Sequence, residues 1–210
     1  MRQRRKPKLF SYVVQHDYGH APNLYFGICT LARCKCREKS SRRPNIVERA
    51  EVGDWIVGTG GADRKKSAGN GNLIYAMRVE KKLRLAQYWS NSRFKDKKPL
   101  KNGDYAERRG DNKEPKSPFE ENKRFVLLSW KEYYYFGKEA GKGPTEIPPK
   151  FRRIEKKGPA YKSDFNPQFI KKFRNWLKST CTPGMHGHPW GQEFLSAREL
   201  RRRKTCKSSC

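Results

Sequence analysis

The 210-residue sequence contains no run of apolar residues near the ~20 that a membrane-spanning helix needs. The apolar stretch Leu9 to Val14 is too short for the core of a secretory leader, and no small-residue cleavage site follows it. A cytoplasmic location is expected from both absences, and with it reduced thiols. The six cysteines are then free thiols or metal ligands and not cross-links. There is no Gly-x-Ser-x-Gly elbow and no Walker A lysine motif, and Gly58, Gly60 and Gly61 lack the spacing of a dinucleotide fingerprint. Nothing calls for a cofactor, and no internal repeat is visible. Acid is scarce: 21 Asp+Glu stand against 49 Lys+Arg, a formal charge of +28.

That excess of one sign repels itself in a compact chain, so a polyanionic partner is its simplest explanation. Nucleic acid ranks first, because Lys and Arg gain affinity by releasing counterions condensed on phosphates. An anionic membrane surface ranks behind it, and no membrane partner is assigned. Apolar content is low at 34%, yet 11 Phe, 10 Tyr and 5 Trp gather in short runs between turn signals, which argues for a folded core of modest size. The expected organisation is a basic arm at 1–8, one domain over 9–183, and a His/Trp loop with a basic tail at 184–210.

Within that domain, Leu9 to Gln15 alternates as a first strand, and His16 to Asn23 forms a loop. Leu24 to Ala32 is a second apolar segment, followed by a basic loop over Cys34 to Asn45. The most telling block runs from Ala50 to Val79. Val52-Gly53-Asp54 turns into a strand at Trp55, Ile56 and Val57, and a polar glycine-rich loop spans Asp63 to Asn72. Leu73 to Val79 is the return strand. Gly58, Gly60 and Gly61 free the backbone to approach a ligand, and Arg64, Lys65 and Lys66 suit a phosphate. Leu83 to Phe94 reads as a short helix and Phe125 to Trp130 as a buried strand that Tyr133 to Gly137 continues or turns beside. Asn166-Pro167 opens the clearest helix, with Phe169, Ile170, Phe173, Trp176 and Leu177 on one stripe. The class is α+β: a small mixed β-barrel with peripheral helices and basic tails.

Several of these motifs recur together in a known pattern. Asp17-Tyr18-Gly19-His20-Ala21-Pro22-Asn23, Cys29 to Lys35, Val52 to Gly60, Tyr75-Ala76-Met77-Arg78-Val79 and Tyr133-Tyr134-Tyr135-Phe136-Gly137 stand in the order found in the nucleotide modification associated domain 2 family, which the chain resembles. Cys36 stands where that pattern has proline. The resemblance implies a setting among bacterial and phage systems that make, read or remove modified DNA bases, and with it DNA ahead of RNA as the nucleic acid and other proteins of such a system as partners. The Val-Gly-Asp-Trp turn and the strand after it are also similar to the barrel of PUA-like domains, some of which read modified bases.

Three functions follow, in order: a nucleic-acid-binding module that recognises a modified or flipped base in a DNA-modification or phage-defence system; an enzyme acting on a nucleotide or modified base; a basic scaffold subunit of a nucleoprotein complex. For base binding the candidates are Asp17, Tyr18, Asn23, Trp55, Gly58, Thr59, Gly60, Gly61, Arg64, Lys65, Tyr133 and Tyr134. Trp55 is either core or a pocket wall. Asp17 either caps an Asx-turn or accepts from a base; in an enzyme it is the acid/base group, with His16 beside it. Backbone contacts fall to Lys35, Arg37, Arg42, Arg43, Arg201, Arg202 and Arg203. Cys29, Cys34, Cys36, Cys181, His186 and His188 are the only set that offers a metal site, and their spacing does not match paired zinc knuckles, so no metal is assigned.

Overall fold

A computed structural model describes residues 5–19, 21–32, 45–97, 125–138 and 145–190. The chain divides into two compact units, Met1–Leu83 with Phe125–Gln192, and Arg84–Arg124 with Glu193–Cys210.

The first unit is built on parallel pairing between β1 (Leu9–Val14) and β3 (Trp55–Gly60), with Leu9 opposite Trp55 and Val14 opposite Gly60. β4 (Asn72–Arg78) returns antiparallel to β3, with a slip in register at Gly58/Thr59. β7 (Tyr133–Tyr135) adds to β4, and β10 (Gly184–Met185) runs parallel to β7. β9 (Tyr161–Lys162) closes the far side on β1, and β8 (Thr145–Glu146) pairs with the start of β4. The spatial order is β10-β7-β4-β3-β1-β9. A second sheet joins β2 (Cys29–Leu31), β6 (Phe125–Ser129) and β5 (Lys81–Arg84) in the order β2-β6-β5.

Strand alternation sends successive side chains to opposite faces, and the large sheet buries both. From one face Phe10, Tyr12, Ile56, Tyr75, Met77 and Tyr135 pack with Cys29, Leu31 and Leu127 of the second sheet. From the other, Leu9, Trp55, Val57 and Tyr134 pack with a 3-10 turn (Pro149–Ile154) and the long helix Pro167–Thr180 through Phe151, Ile154, Ile170, Phe173 and Leu177. The layers run sheet, sheet, helix. The long helix starts as the sequence predicts: the Asn166 side chain accepts from the Phe169 N–H at 2.8 Å.

The architecture is α+β and mostly sheet, as expected, but neither sheet closes into a barrel among the described residues. The physical reason is that the large sheet ends on two-residue strands at both sides and is covered by separate layers. Tyr133–Tyr135 does not continue Phe125–Ser129 but crosses to the other sheet, because Glu80 organises the turn between them. Its carboxylate accepts the N–H groups of Trp130, Lys131 and Glu132 at 3.2, 2.9 and 2.9 Å. The sheet reaches past residue 183, since β10 and a backbone bridge between Lys138 and His188 both follow. A four-residue helix, α1 (Ile46–Arg49), carries a capping box between Asn45 and Glu48. In the second unit the expected Leu83–Phe94 helix is shorter, α2 (Leu85–Ser90), followed by a 3-10 turn (Ser92–Lys97) with Tyr88 stacked on Phe94 at 4.8 Å. The long helix is α3. Among the described residues no helix is long and apolar enough to cross a membrane.

Candidate functional site

Because β1 and β3 are parallel, Val14 and Gly60 deliver their following loops to the same edge. Those loops lock together. Ser67 Oγ donates to the Val14 carbonyl at 2.6 Å and accepts from the Gly61 N–H at 2.8 Å, while Asp17 N–H donates to the Lys66 carbonyl at 2.8 Å. A Cβ on Gly60 would lie 2.1 Å from the Gly69 carbonyl oxygen, and one on Gly61 would lie 2.9 Å from the Gln15 Cα. The glycines therefore allow backbone to pack on backbone within the protein, and the Gly61 N–H is taken by Ser67. Arg64, Lys65 and Lys66 are exposed on this loop.

Asp17 lies at the junction, 2% exposed. Its Oδ2 accepts from Tyr135 Oη at 2.5 Å and from the Trp190 N–H at 3.4 Å. Burial raises its carboxyl to about 6, against the pull of hydrogen bonds from Tyr135, Trp190 and Gly19. Burial, then the neighbouring Asp17, raises the Tyr135 phenol well above its ordinary range. Beside this pair Tyr12 and Tyr75 share a hydroxyl hydrogen bond of 2.8 Å, and burial raises the Tyr75 phenol too. Gly58 makes room for Tyr75, whose ring would stand 2.4 Å from a Cβ there.

Around the buried carboxylate runs a rim of another character. Tyr18, Tyr25 and Trp190 are half-buried, and His16, Lys66 and Lys138 are exposed. The His16 and Tyr18 rings lie 5.8 Å apart, and Lys138 Nζ stands 5.9 Å from the Trp190 ring centre. The Trp190 indole N–H is buried and makes no hydrogen bond among the described residues. Aromatic faces and cations on the rim can stack a base and hold phosphates; the carboxylate behind them can accept from an amino group or exchange a proton near neutrality.

The structure thus gathers Asp17, His16, Tyr18, Arg64 and Lys65 at one edge. Other candidates are placed elsewhere. Trp55 and Tyr134 are fully interior on the α3 side of the sheet, stacked on one another at 6.5 Å. Tyr133 is buried in the cluster that includes Cys29. Asn23 is buried and pairs through its backbone with Thr30, and Thr59 Oγ1 donates to the Tyr12 carbonyl at 3.2 Å. Cys29 and Cys181 are in no disulfide and pack in clusters on opposite faces of the sheet, so they share no site. His186 Nε2 meets the Thr182 carbonyl, and no group of potential metal ligands forms among the described residues. Cys34, Cys36, Lys35, Arg37, Arg42, Arg43, Arg201, Arg202 and Arg203 lie outside the described residues.

Sequence reasoning did not single out Tyr25, Tyr75, Tyr135 or Trp190 for the site. Strand alternation carried the signal for one of them: it puts Tyr133 and Tyr135 on one face and Tyr134 on the other, and Tyr135 then pairs across to Tyr75. No curated protein and no solved structure matches the chain. The family profile for nucleotide modification associated domain 2 matches residues 6–124 and 114–198, a span that takes in the Asp17 loop, the β3–β4 block, β7 and Trp190. With nearly its whole length so matched, the chain belongs to the nucleotide modification associated domain 2 family.

Proposed function

We propose that this chain is a nucleic-acid-binding module of a DNA-modification or phage-defence system, and that it reads a modified or flipped base in DNA. One observation carries the reading: a buried carboxylate sits directly behind a rim of half-buried aromatics and exposed cations. Extruding a base costs a few kcal/mol, which a reader recovers by stacking and edge hydrogen bonds. Tyr18, Tyr25 and Trp190 supply the faces and Asp17 the edge acceptor, while Arg64, Lys65 and Lys138 meet phosphates. The 3.4 Å bond from Trp190 N–H to Asp17 is longer than a well-formed one of ~2.9 Å, so a base amino group is a better donor to that oxygen. The likeness to PUA-like readers belongs to this proposal through the β3–β4 hairpin and not through a closed barrel.

An enzymatic reading has one observation in its favour. A carboxyl titrating at about 6, with a phenol 2.5 Å away, is suited to acid–base work on a nucleotide.

Asp17→Asn separates the two, because it keeps an acceptor oxygen but loses basicity. The assay pairs equilibrium binding to duplexes carrying 5-substituted cytosines or N6-substituted adenines with mass spectrometry of the nucleosides afterwards. The reader predicts a preference for a modified duplex, reduced in the variant by up to ~1.5–3 kcal/mol, and unchanged nucleosides. A new nucleoside that vanishes in Asp17→Asn makes the protein an enzyme. Equal affinity for every duplex removes the reader.

A further inference from the structure

The other face of the large sheet carries a second feature, away from Asp17. Gln168, Lys172, Asn175 and Ser179 recur at intervals of four, three and four along α3, which sets them on one stripe. With the 3-10 turn Pro149–Ile154 this stripe encloses a groove of about 650 Å³, within the ~300–1,000 Å³ range of ligand sites. Its floor is aromatic. Phe151 meets Phe169 edge-on at 5.8 Å and tilts against Trp176 at 5.4 Å.

The core does not need all of this ring surface. α3 buries Ile170, Phe173 and Leu177 against the sheet, whereas Phe169 and Trp176 stay half-buried and line the groove. The charged side chains lining it are Lys150 and Lys172, both exposed, and no Asp or Glu joins them among the described residues. Gln168 and Asn175 add amides that can meet the edge of a base. An acidic peptide would use the lysines but leave the rings uncovered. A duplex would use the lysines but keeps its bases stacked inside. Single-stranded nucleic acid uses both, since every base has a face for an aromatic and every linkage a phosphate.

We infer that the α3 groove is a second nucleic-acid contact that takes a single strand, with bases on Trp176 and Phe169 and phosphates on Lys150 and Lys172. The inference shares the polyanion premise of the proposed function but involves none of the residues around Asp17. A strand opened at the Asp17 edge, or a single-stranded neighbour of the target, is its substrate class.

The test compares an oligothymidylate of about eight nucleotides with a hairpin duplex of similar phosphate count. In Lys150→Gln/Lys172→Gln the single-strand log–log salt slope becomes shallower by about 1.4, at about 0.7 per phosphate, and the duplex slope is unchanged. Lys81→Gln/Lys131→Gln removes the same charge from exposed positions outside the groove and leaves the single-strand slope as in the wild type. Trp176→Leu weakens single-strand binding roughly tenfold, read beside its melting curve because Trp176 also packs on Phe151 and Phe173. A groove lysine pair that behaves like the control pair overturns the inference. So does equal loss for strand and duplex, or displacement of the strand by polyglutamate at equal charge. Duplex binding that survives any of these results leaves the Asp17 reading intact. If the wild type binds neither probe, both fall.

Discussion

Asp17 holds its proton to about pH 6, where an aspartate in an unfolded chain has long lost it. The folded state therefore binds that proton more tightly than the unfolded one, and ionisation withdraws stability. The contribution is complete below about 3.8, falls as pH rises towards about 6, and is flat above. Asn at position 17 does not titrate and still accepts from Tyr135. Asp17→Asn should therefore gain on the wild type as pH rises through this window, on the order of 3 kcal/mol at ~1.36 kcal/mol per unit. Urea melts across that range check it. A difference that does not move with pH would mean the carboxylate is solvated. The buried carboxylate is shielded by the Trp190 backbone N–H and the Tyr135 phenol, which supply the donors that burial denies it from water.

Among the elements, Glu132 ties the turn before β7 to two neighbours, pairing with Arg78 of β4 and with Arg174 and Lys178 of α3, each at 2.9 Å. Burial by itself would raise its carboxyl, but hydrogen bonds from Lys178, Arg174 and Arg78 outweigh that and hold it at about 2. Its sign is opposite to that of Asp17. The stabilisation is present above about 4.5 and is lost as pH falls towards about 2. Because the two arginines are 42% exposed, solvent screens the clamp, and Glu132→Gln should cost only ~1 kcal/mol at neutral pH. The cost should shrink on acidification. Chemical melts at neutral and acid pH measure it, and a cost that grows in acid would refute the clamp.

Elements defined by local chemistry were legible in the sequence. Asn166-Pro167 and the apolar stripe specify α3. Val52-Gly53-Asp54-Trp55 specifies the entry to β3, where Asp54 accepts the N–H of Glu51 within the turn at 2.9 Å and that of Lys8 before β1 at 2.7 Å. The α1 capping box is equally local, in Asn45 and Glu48. Partner choice was not legible. Nothing near Tyr133 says that β7 leaves the strand before it for β4, and nothing near Leu9 says that β1 runs parallel to β3. Trp55 shows the consequence. Alternation gives it a face, but both faces of β3 are covered, so neither was the open wall a pocket needs. For the same reason the contact between Tyr135 and Asp17, 118 positions apart, could not be read.

For the whole molecule, the leading quantity is its formal charge of +28. Some of it lies on the arm at Arg5, Lys6 and Lys8, and some on the loop of Arg64, Lys65 and Lys66 beside Asp17. Duplex binding should be tight in dilute buffer and fall steeply with salt, each neutralised phosphate adding about 0.9 to the log–log slope. Filter-binding titrations give that slope directly. A flat line, or no retention at low salt, would remove nucleic acid as the partner.

β5 and β6 lie side by side in the small sheet, with the Glu80 N–H on the Leu128 carbonyl at 2.8 Å. The two strands that flank the interval 85–124 are thus held side by side. The entropy of closing such an interval grows only slowly, by about 0.6 kcal/mol for each doubling of length. This position is a socket. A change in the length of chain between β5 and β6 therefore costs little closure entropy, and the layers that position Asp17 and α3 should keep their shape through it.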